Sequence, residues 1–116
     1  MKKILVTGGA GYIGSHAVKA LLKADFGVVV VDNLSKGYRE AVDARARFVE
    51  LDLGDREALK KVFQENDFSA VMHFAGSIEV GLSMQDPAKF FQNNVVNGLN
   101  LLEAMHATGV KNIIFS

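Results

Sequence analysis

Eight consecutive residues, Thr7-Gly8-Gly9-Ala10-Gly11-Tyr12-Ile13-Gly14, carry the densest chemical signal in the chain. They fit G-x-G-x-x-G through Gly9, Gly11 and Gly14, and G-x-x-G-x-x-G through Gly8, Gly11 and Gly14. Glycines at this spacing let a diphosphate approach the main chain. N–H groups at a helix N-terminus then face the anion, and the helix dipole favours it. A side chain in the turn would hold the diphosphate away, and the last glycine lets the helix pack close to the preceding strand. The competing account is a tight strand-to-helix turn with no ligand. The run follows an apolar strand pattern and opens a helical one, which favours binding.

Asp32 closes the next apolar run, eighteen residues beyond Gly14. A carboxylate there accepts from the ribose 2′- and 3′-hydroxyls of a dinucleotide and repels a 2′-phosphate, so NAD is expected in preference to NADP. Lys36 and Arg39 stand near enough in sequence to offset that charge. The bland alternative is a solvated aspartate in an Asx turn before Asn33.

Three further places hold candidate chemistry. Asp52-Leu53 follows the third apolar run, where an adenine edge would lie, although a loop aspartate serves a turn equally well. His73-Phe74-Ala75-Gly76-Ser77 puts small residues where a backbone must run beside a cofactor, and His73 titrates near neutrality. A histidine inside the apolar run 70–75 is more often a hydrogen-bonded core residue, and that reading is preferred. Asn93 and Asn94 are poor helix formers inside a helical pattern, which calls for a role facing the cleft, with simple exposure the alternative for one of them.

The elements that must position these groups are five apolar, β-rich runs: Lys3–Thr7, Val28–Asp32, Arg47–Leu51, Ala70–Phe74 and Asn112–Phe115. Most are apolar on both faces, as in a parallel sheet covered twice. Ile13, Ala17, Val18, Leu21 and Leu22 recur at helical spacing, as do Leu59, Val62 and Phe63 behind a possible Asp55 cap. Asp86-Pro87 starts a helix expected to reach about Ala107, burying Phe91, Val95, Leu102 and Met105 and stopping at Gly109. The stretch 34–46 reads as loop plus a short helix. Strand and helix alternating to a fifth strand give one dinucleotide-binding domain over residues 1–116. Its expected fold is a doubly wound parallel α/β (Rossmann) sheet of order 3-2-1-4-5, with the switch point between strands one and four.

Composition narrows the function classes. At 116 residues the chain suits one core and is too short for two. Thirteen basic and thirteen acidic residues cancel without clustering, so nothing asks for nucleic acid or an anionic membrane. No apolar run approaches the roughly eighteen residues of a membrane span. With no cysteine there is no disulfide or thiolate metal site, which fits a soluble, cytoplasmic chain. No metal is expected. The tyrosines, Tyr12 and Tyr38, are followed four residues on by His16 and Val42, so the chain has no Tyr-x-x-x-Lys. HExxH, Walker lysine and nucleophile-elbow motifs are also missing.

The segments TGGAGYIGSH, VVVDNLSKG, HFAGSIEVG, DPAKFFQNNVVNGLNLLEA and GVKNIIFS together resemble the N-terminal part of bacterial UDP-glucose 4-epimerases, in the extended short-chain dehydrogenase/reductase superfamily. The first block alone says only extended short-chain dehydrogenase. The second and third narrow it to the epimerases, with sugar-nucleotide dehydratases and decarboxylases as alternatives. The resemblance implies a reaction in which a hydride leaves sugar C4 for tightly held NAD⁺, the 4-keto sugar turns over, and the hydride returns to its other face, interconverting UDP-galactose and UDP-glucose.

By the same resemblance, Gly8, Gly11, Tyr12, Ile13 and Gly14 belong to the diphosphate turn. Asp32, Asn33, Leu34, Ser35, Lys36 and Gly37 surround the adenosine ribose, and Asp52 and Leu53 hold the adenine. Phe74, Ala75, Gly76, Ser77 and Ile78 line the nicotinamide side, with Asn93 against the cofactor. Two positions depart from the pattern: Leu51 replaces a frequent glycine before the aspartate, and Ile78 replaces a lysine carried by some members. Ser116 matches the first residue of a serine-rich stretch that leads, in the family, to the catalytic Ser/Thr, the Tyr-x-x-x-Lys pair and the nucleotide-sugar domain. The chain is therefore expected to be the cofactor-binding part of an epimerase, truncated after strand five, with no catalytic residue of its own and inactive alone. An uncovered fifth strand also invites self-association, so a homo-oligomer through that edge is a further expectation.

Overall fold

A computed structural model describes residues 1–35, 37–74 and 87–115. Its elements alternate along the chain: β1 (Lys3–Thr7), α1 (Tyr12–Lys23), β2 (Gly27–Asp32), a 3₁₀ turn (Arg39–Ala41), β3 (Arg47–Glu50), α2 (Arg56–Glu65), β4 (Phe68–His73), α3 (Pro87–Thr108) and β5 (Ile113–Phe115). The strands form one sheet of order β3-β2-β1-β4-β5, as expected, and every neighbouring pair is parallel.

The alternation of side chains along each strand divides the core in two. Leu5, Val29, Val31 and Val71 point to one face, where Leu59, Val62 and Phe63 of α2 and Leu101, Ala104 and Met105 of α3 cover them. Ile4, Val6, Val28 and Val30 point to the other, against Val18 of α1 and the segment containing Val42 and Ala46. Burial on both faces explains why the strands read as continuous apolar runs. Complete burial of a side chain such as Leu59 or Phe63, both 1% exposed or less, stabilises the fold by about 2 kcal/mol each.

Helix ends follow local chemistry. The Asp55 side chain accepts the Ala58 N–H at the start of α2. Pro87 is the first residue of α3, where its missing N–H costs nothing. Beyond the end of α3, Gly109 adopts φ +78°, which lets the chain turn toward β5. Asp86 lies outside the described residues.

Two faces differ from the periodicity. Ile13 is 59% exposed rather than packed on the sheet. On α3, Val95 and Leu102 are exposed while Leu101 and Ala104 are buried. Apolar residues surround most of α3, so their spacing does not select a face. The inward row runs through Asn94 and Asn97 to Leu101, Ala104 and Met105. The Phe91 side chain lies outside the description.

Candidate functional site

Parallel pairing brings the C-terminal ends of the strands to one edge. Thr7 pairs with Val31 and with His73, and Asp32 pairs with Glu50. The loops beginning at Gly8, Asn33, Leu51 and Phe74 therefore open on the same side of the sheet. The helices after β1 and β4 pack on opposite faces, so the crevice lies at the switch point.

The glycine turn is built by backbone contacts. Gly8 has φ +71°, a left-handed conformation that bends the chain out of β1, and its N–H donates to Val31 O. Gly14 packs the first turn of α1 onto that bend so closely that a Cβ there would lie 2.2 Å from Gly8 O. At Gly11 a Cβ would meet only Gly8 O, at 3.4 Å, so nothing within the described fold forbids a side chain there. Gly11 is the N-cap of α1, without a side-chain cap, and no acidic residue occupies the first turn. The first N–H groups of α1 lack intrahelical partners, and no N-cap side chain or first-turn carboxylate competes with an anion for them.

Asp32 sits at the end of β2 with both oxygens engaged. Oδ2 accepts the Ala10 N–H at 3.0 Å and Oδ1 accepts the Leu34 N–H at 2.8 Å. Beyond it, Asn33 Oδ1 accepts the Ser35 N–H, and Asn33 Nδ2 donates to Asp52 Oδ2 at 3.3 Å. Asp52 in turn accepts the Gly54 N–H at 2.7 Å, so it both shapes its own turn and faces the loop after β2. Asp32, Asn33 and Asp52 are thus brought together by strand order, although the last lies twenty positions beyond the first.

Other candidates fall elsewhere. The Leu53 side chain is 5% exposed and belongs to the core, leaving only its main chain at this edge. Tyr12 is 77% exposed and its ring lies 4.7 Å from that of His16, on the solvent side of α1. The Arg39 guanidinium stands 4.6 Å over the Phe48 ring. Phe74 is half-buried, and its N–H donates to Thr7 O. Lys36, Ala75, Gly76, Ser77 and Ile78 lie outside the described residues, as does the side chain of Asn93.

His73 is a core residue, as preferred from its surroundings. It is 6% exposed, with Nδ1 2.6 Å from Thr7 Oγ1, and burial pushes its pKa down. One functional tie escaped the reading of the residues. Asn100 Nδ2 donates to Leu53 O at 2.9 Å, fastening the loop after β3 to α3. The signal was available: Asn100 is another asparagine inside a helix, like Asn93 and Asn94.

The crevice, the uncapped glycine turn and the carboxylate at the end of β2 together have the form of a dinucleotide site, and residues 4–116 match the NAD dependent epimerase/dehydratase family. The chain belongs to that family. Among its relatives, the UDP-glucose 4-epimerase of Lacticaseibacillus casei is 51% identical over 113 residues, covering 97% of this chain and 34% of that protein. UDP-arabinose 4-epimerase 1 of Arabidopsis thaliana is 50% identical over 122 residues, covering 97% of this chain and 29% of that protein. The crystal structure of UDP-glucose 4-epimerase from Brucella ovis in complex with NAD superposes with a TM-score of 0.93 at 43% identity, covering 99% of this chain and 35% of that one. This epimerase/dehydratase chain thus spans about a third of the length of the relatives it matches.

Proposed function

We propose that these residues are the NAD-binding part of a UDP-glucose 4-epimerase. The observation that carries the reading is the pairing of an uncapped glycine turn at Gly11, after β1, with the Asp32 carboxylate at the end of the neighbouring β2, beside the switch point. Its support from relatives is the NAD complex of the Brucella ovis enzyme, which shares this fold at 43% identity.

The described residues fit the cofactor in chemical terms. The N-terminal N–H groups of α1 suit a diphosphate, and the absence of a Cβ at Gly11 lets it come close. Each Asp32 oxygen has a further lone pair beyond the backbone N–H it accepts, which suits the ribose hydroxyls. Asp52 offers an acceptor to the exocyclic amine of adenine, with the Leu53 main chain beside it. Arg39 is held over Phe48 and no described cation offsets Asp32, which favours NAD over NADP. Bound there, NAD⁺ supplies a reversible acceptor for the hydride of a sugar carbon. The chain's own part is to bind and orient that acceptor. Phe74, with the loop it opens, and Asn93 would border the nicotinamide.

Identity to a UDP-glucose and to a UDP-arabinose 4-epimerase differs by one per cent over this segment. That parity is what a cofactor-binding segment common to enzymes of different sugars would show, and it favours epimerisation at C4 over dehydration or decarboxylation. A neighbour for β5 belongs to the same reading. Ile114 and Phe115 are 57% and 60% exposed on an edge strand, so a further strand or a second copy would cover them.

The test is calorimetric titration of the chain with NAD⁺ and NADH. Binding that is lost in Gly11→Val with the fold retained supports the reading, and absence of binding by the wild-type chain overturns it.

A further inference from the structure

We infer that Asp32 is a positioning residue for the glycine turn. Together with the Gly37-Tyr38 segment it clamps Ala10, so the turn that receives the diphosphate is set before any ligand arrives and independently of the ribose contact. The inference rests on the reading that a dinucleotide occupies this turn.

Both main-chain polar groups of Ala10 are held, one from the last residue of β2 and one from the loop after it. Its N–H donates to Asp32 Oδ2 at 3.0 Å, and its carbonyl accepts the Tyr38 N–H at 3.2 Å. Ala10 itself is 2% exposed. The approach is close enough to exclude a side chain at residue 37, since a Cβ on Gly37 would lie 2.3 Å from Ala10 O and 2.8 Å from Gly11 N. Gly11 is the N-cap of α1, so the clamp acts on the residue immediately before that cap.

The other side of the clamp is strained. Leu34 has φ +63°, a conformation that side chains other than glycine rarely adopt, and the bond from its N–H to Asp32 Oδ1 holds it there. One carboxylate therefore fixes two loops, and bonds to a charged acceptor are stronger than neutral ones. Two loops on neighbouring strands are joined by a single side chain. A role confined to ribose hydroxyls needs none of these backbone contacts.

The two roles separate with a ligand that has no ribose hydroxyls. ADP and 2′,3′-dideoxy-ADP are titrated calorimetrically into the wild-type chain, Asp32→Ala and Gly37→Ala. Amide exchange of Ala10 is followed by NMR in the ligand-free proteins, with the core amides of Leu5 and Val71 as the reference for folding. The clamp predicts Ala10 exchange and dideoxy-ADP dissociation constants raised by roughly tenfold in both variants, in Asp32→Ala by losing a hydrogen bond to a charged group and in Gly37→Ala by the Cβ displacing Ala10 from that bond, with the Leu5 and Val71 amides still protected. Asp32→Ala that weakens ADP while leaving dideoxy-ADP and Ala10 exchange at wild-type values would overturn it, because the carboxylate would then serve the ribose alone. Should Asp32→Ala lose the protection of Leu5 and Val71, Gly37→Ala decides, and unchanged Ala10 exchange there overturns the clamp. Failure of the wild-type chain to bind either nucleotide overturns the cofactor reading instead, and Ala10 exchange in the two variants still decides the clamp.

Discussion

Thr7 and His73 are joined side chain to side chain across adjacent strands, with Oγ1 of one 2.6 Å from Nδ1 of the other. They are register partners on β1 and β4, both buried, and the Phe115 ring stands edge-on to the imidazole with centroids 5.6 Å apart. Burial holds the His73 pKa below its ordinary value of 6.5. The unfolded chain therefore takes up a proton near that pH which the folded chain refuses. The contribution of neutral His73 to stability is complete above the unfolded pKa, and is lost as pH falls through 6.5 toward the depressed folded value. Urea unfolding of the wild-type chain should show stability falling between about pH 7 and pH 5, and His73→Asn should flatten that dependence. An unchanged slope in the variant would assign the effect to another group.

Gly11 and Gly14 should respond to substitution in opposite ways. A Cβ at Gly14 would sit 2.2 Å from Gly8 O and 3.0 Å from Gly9 Cα, both main-chain atoms that cannot step aside. Gly14→Ala should therefore cost about 1–3 kcal/mol of stability, seen as a lowered Tm. A Cβ at Gly11 has its nearest described neighbour at 3.4 Å. Gly11→Val should keep most of the Tm and lose NAD(H) binding by at least roughly a hundredfold, because the branched side chain fills the diphosphate position. Normal binding by Gly11→Val would move the cofactor away from this turn.

Cofactor choice should follow the charge at Asp32. With Arg39 held 4.6 Å over Phe48, the wild-type chain should bind NAD(H) at least about tenfold more tightly than NADP(H), a difference of about 1.4 kcal/mol. Asp32→Asn removes the negative charge and should bring the two affinities together. Calorimetry with both cofactors is the check, and equal affinities in the wild-type chain would refute the argument from charge.

Turnover should be undetectable with these residues alone. A sugar hydroxyl needs a positioned base, and neither Tyr12 nor Tyr38 has a lysine four residues on. His73 cannot replace them, being 6% exposed and bonded to Thr7. UDP-galactose incubated with the chain and saturating NAD⁺ should yield no UDP-glucose above a protein-free control. Conversion by material shown by mass spectrometry to hold only this chain would reveal a base outside the residues discussed.

The glycine turn, the Asp55 cap and the Gly109 stop were legible in the residues because each depends on local rules, and strand order followed from topological rules applied to alternating strands and helices. Apolar runs of strand length alternate with helical spacing, glycine stands where φ must be positive, and an acidic side chain caps a helix start. The burial of His73 was legible too, since an apolar run on both sides implies a covered strand. The face of α3 was not. Val95 and Leu102 have the same apolar character as Leu101 and Ala104, and only packing against the sheet and α2 selects among them. The same holds at the site. Composition and spacing pointed to Asp32 as a ribose acceptor, but its bonds to Ala10 and Leu34, the seating of Gly37 on Ala10 and the tie from Asn100 to Leu53 link residues far apart in the chain. Such contacts arise only when parallel pairing brings the strand ends to one edge, because strand order says which loops are neighbours but spacing along the chain does not say which of their atoms will bond.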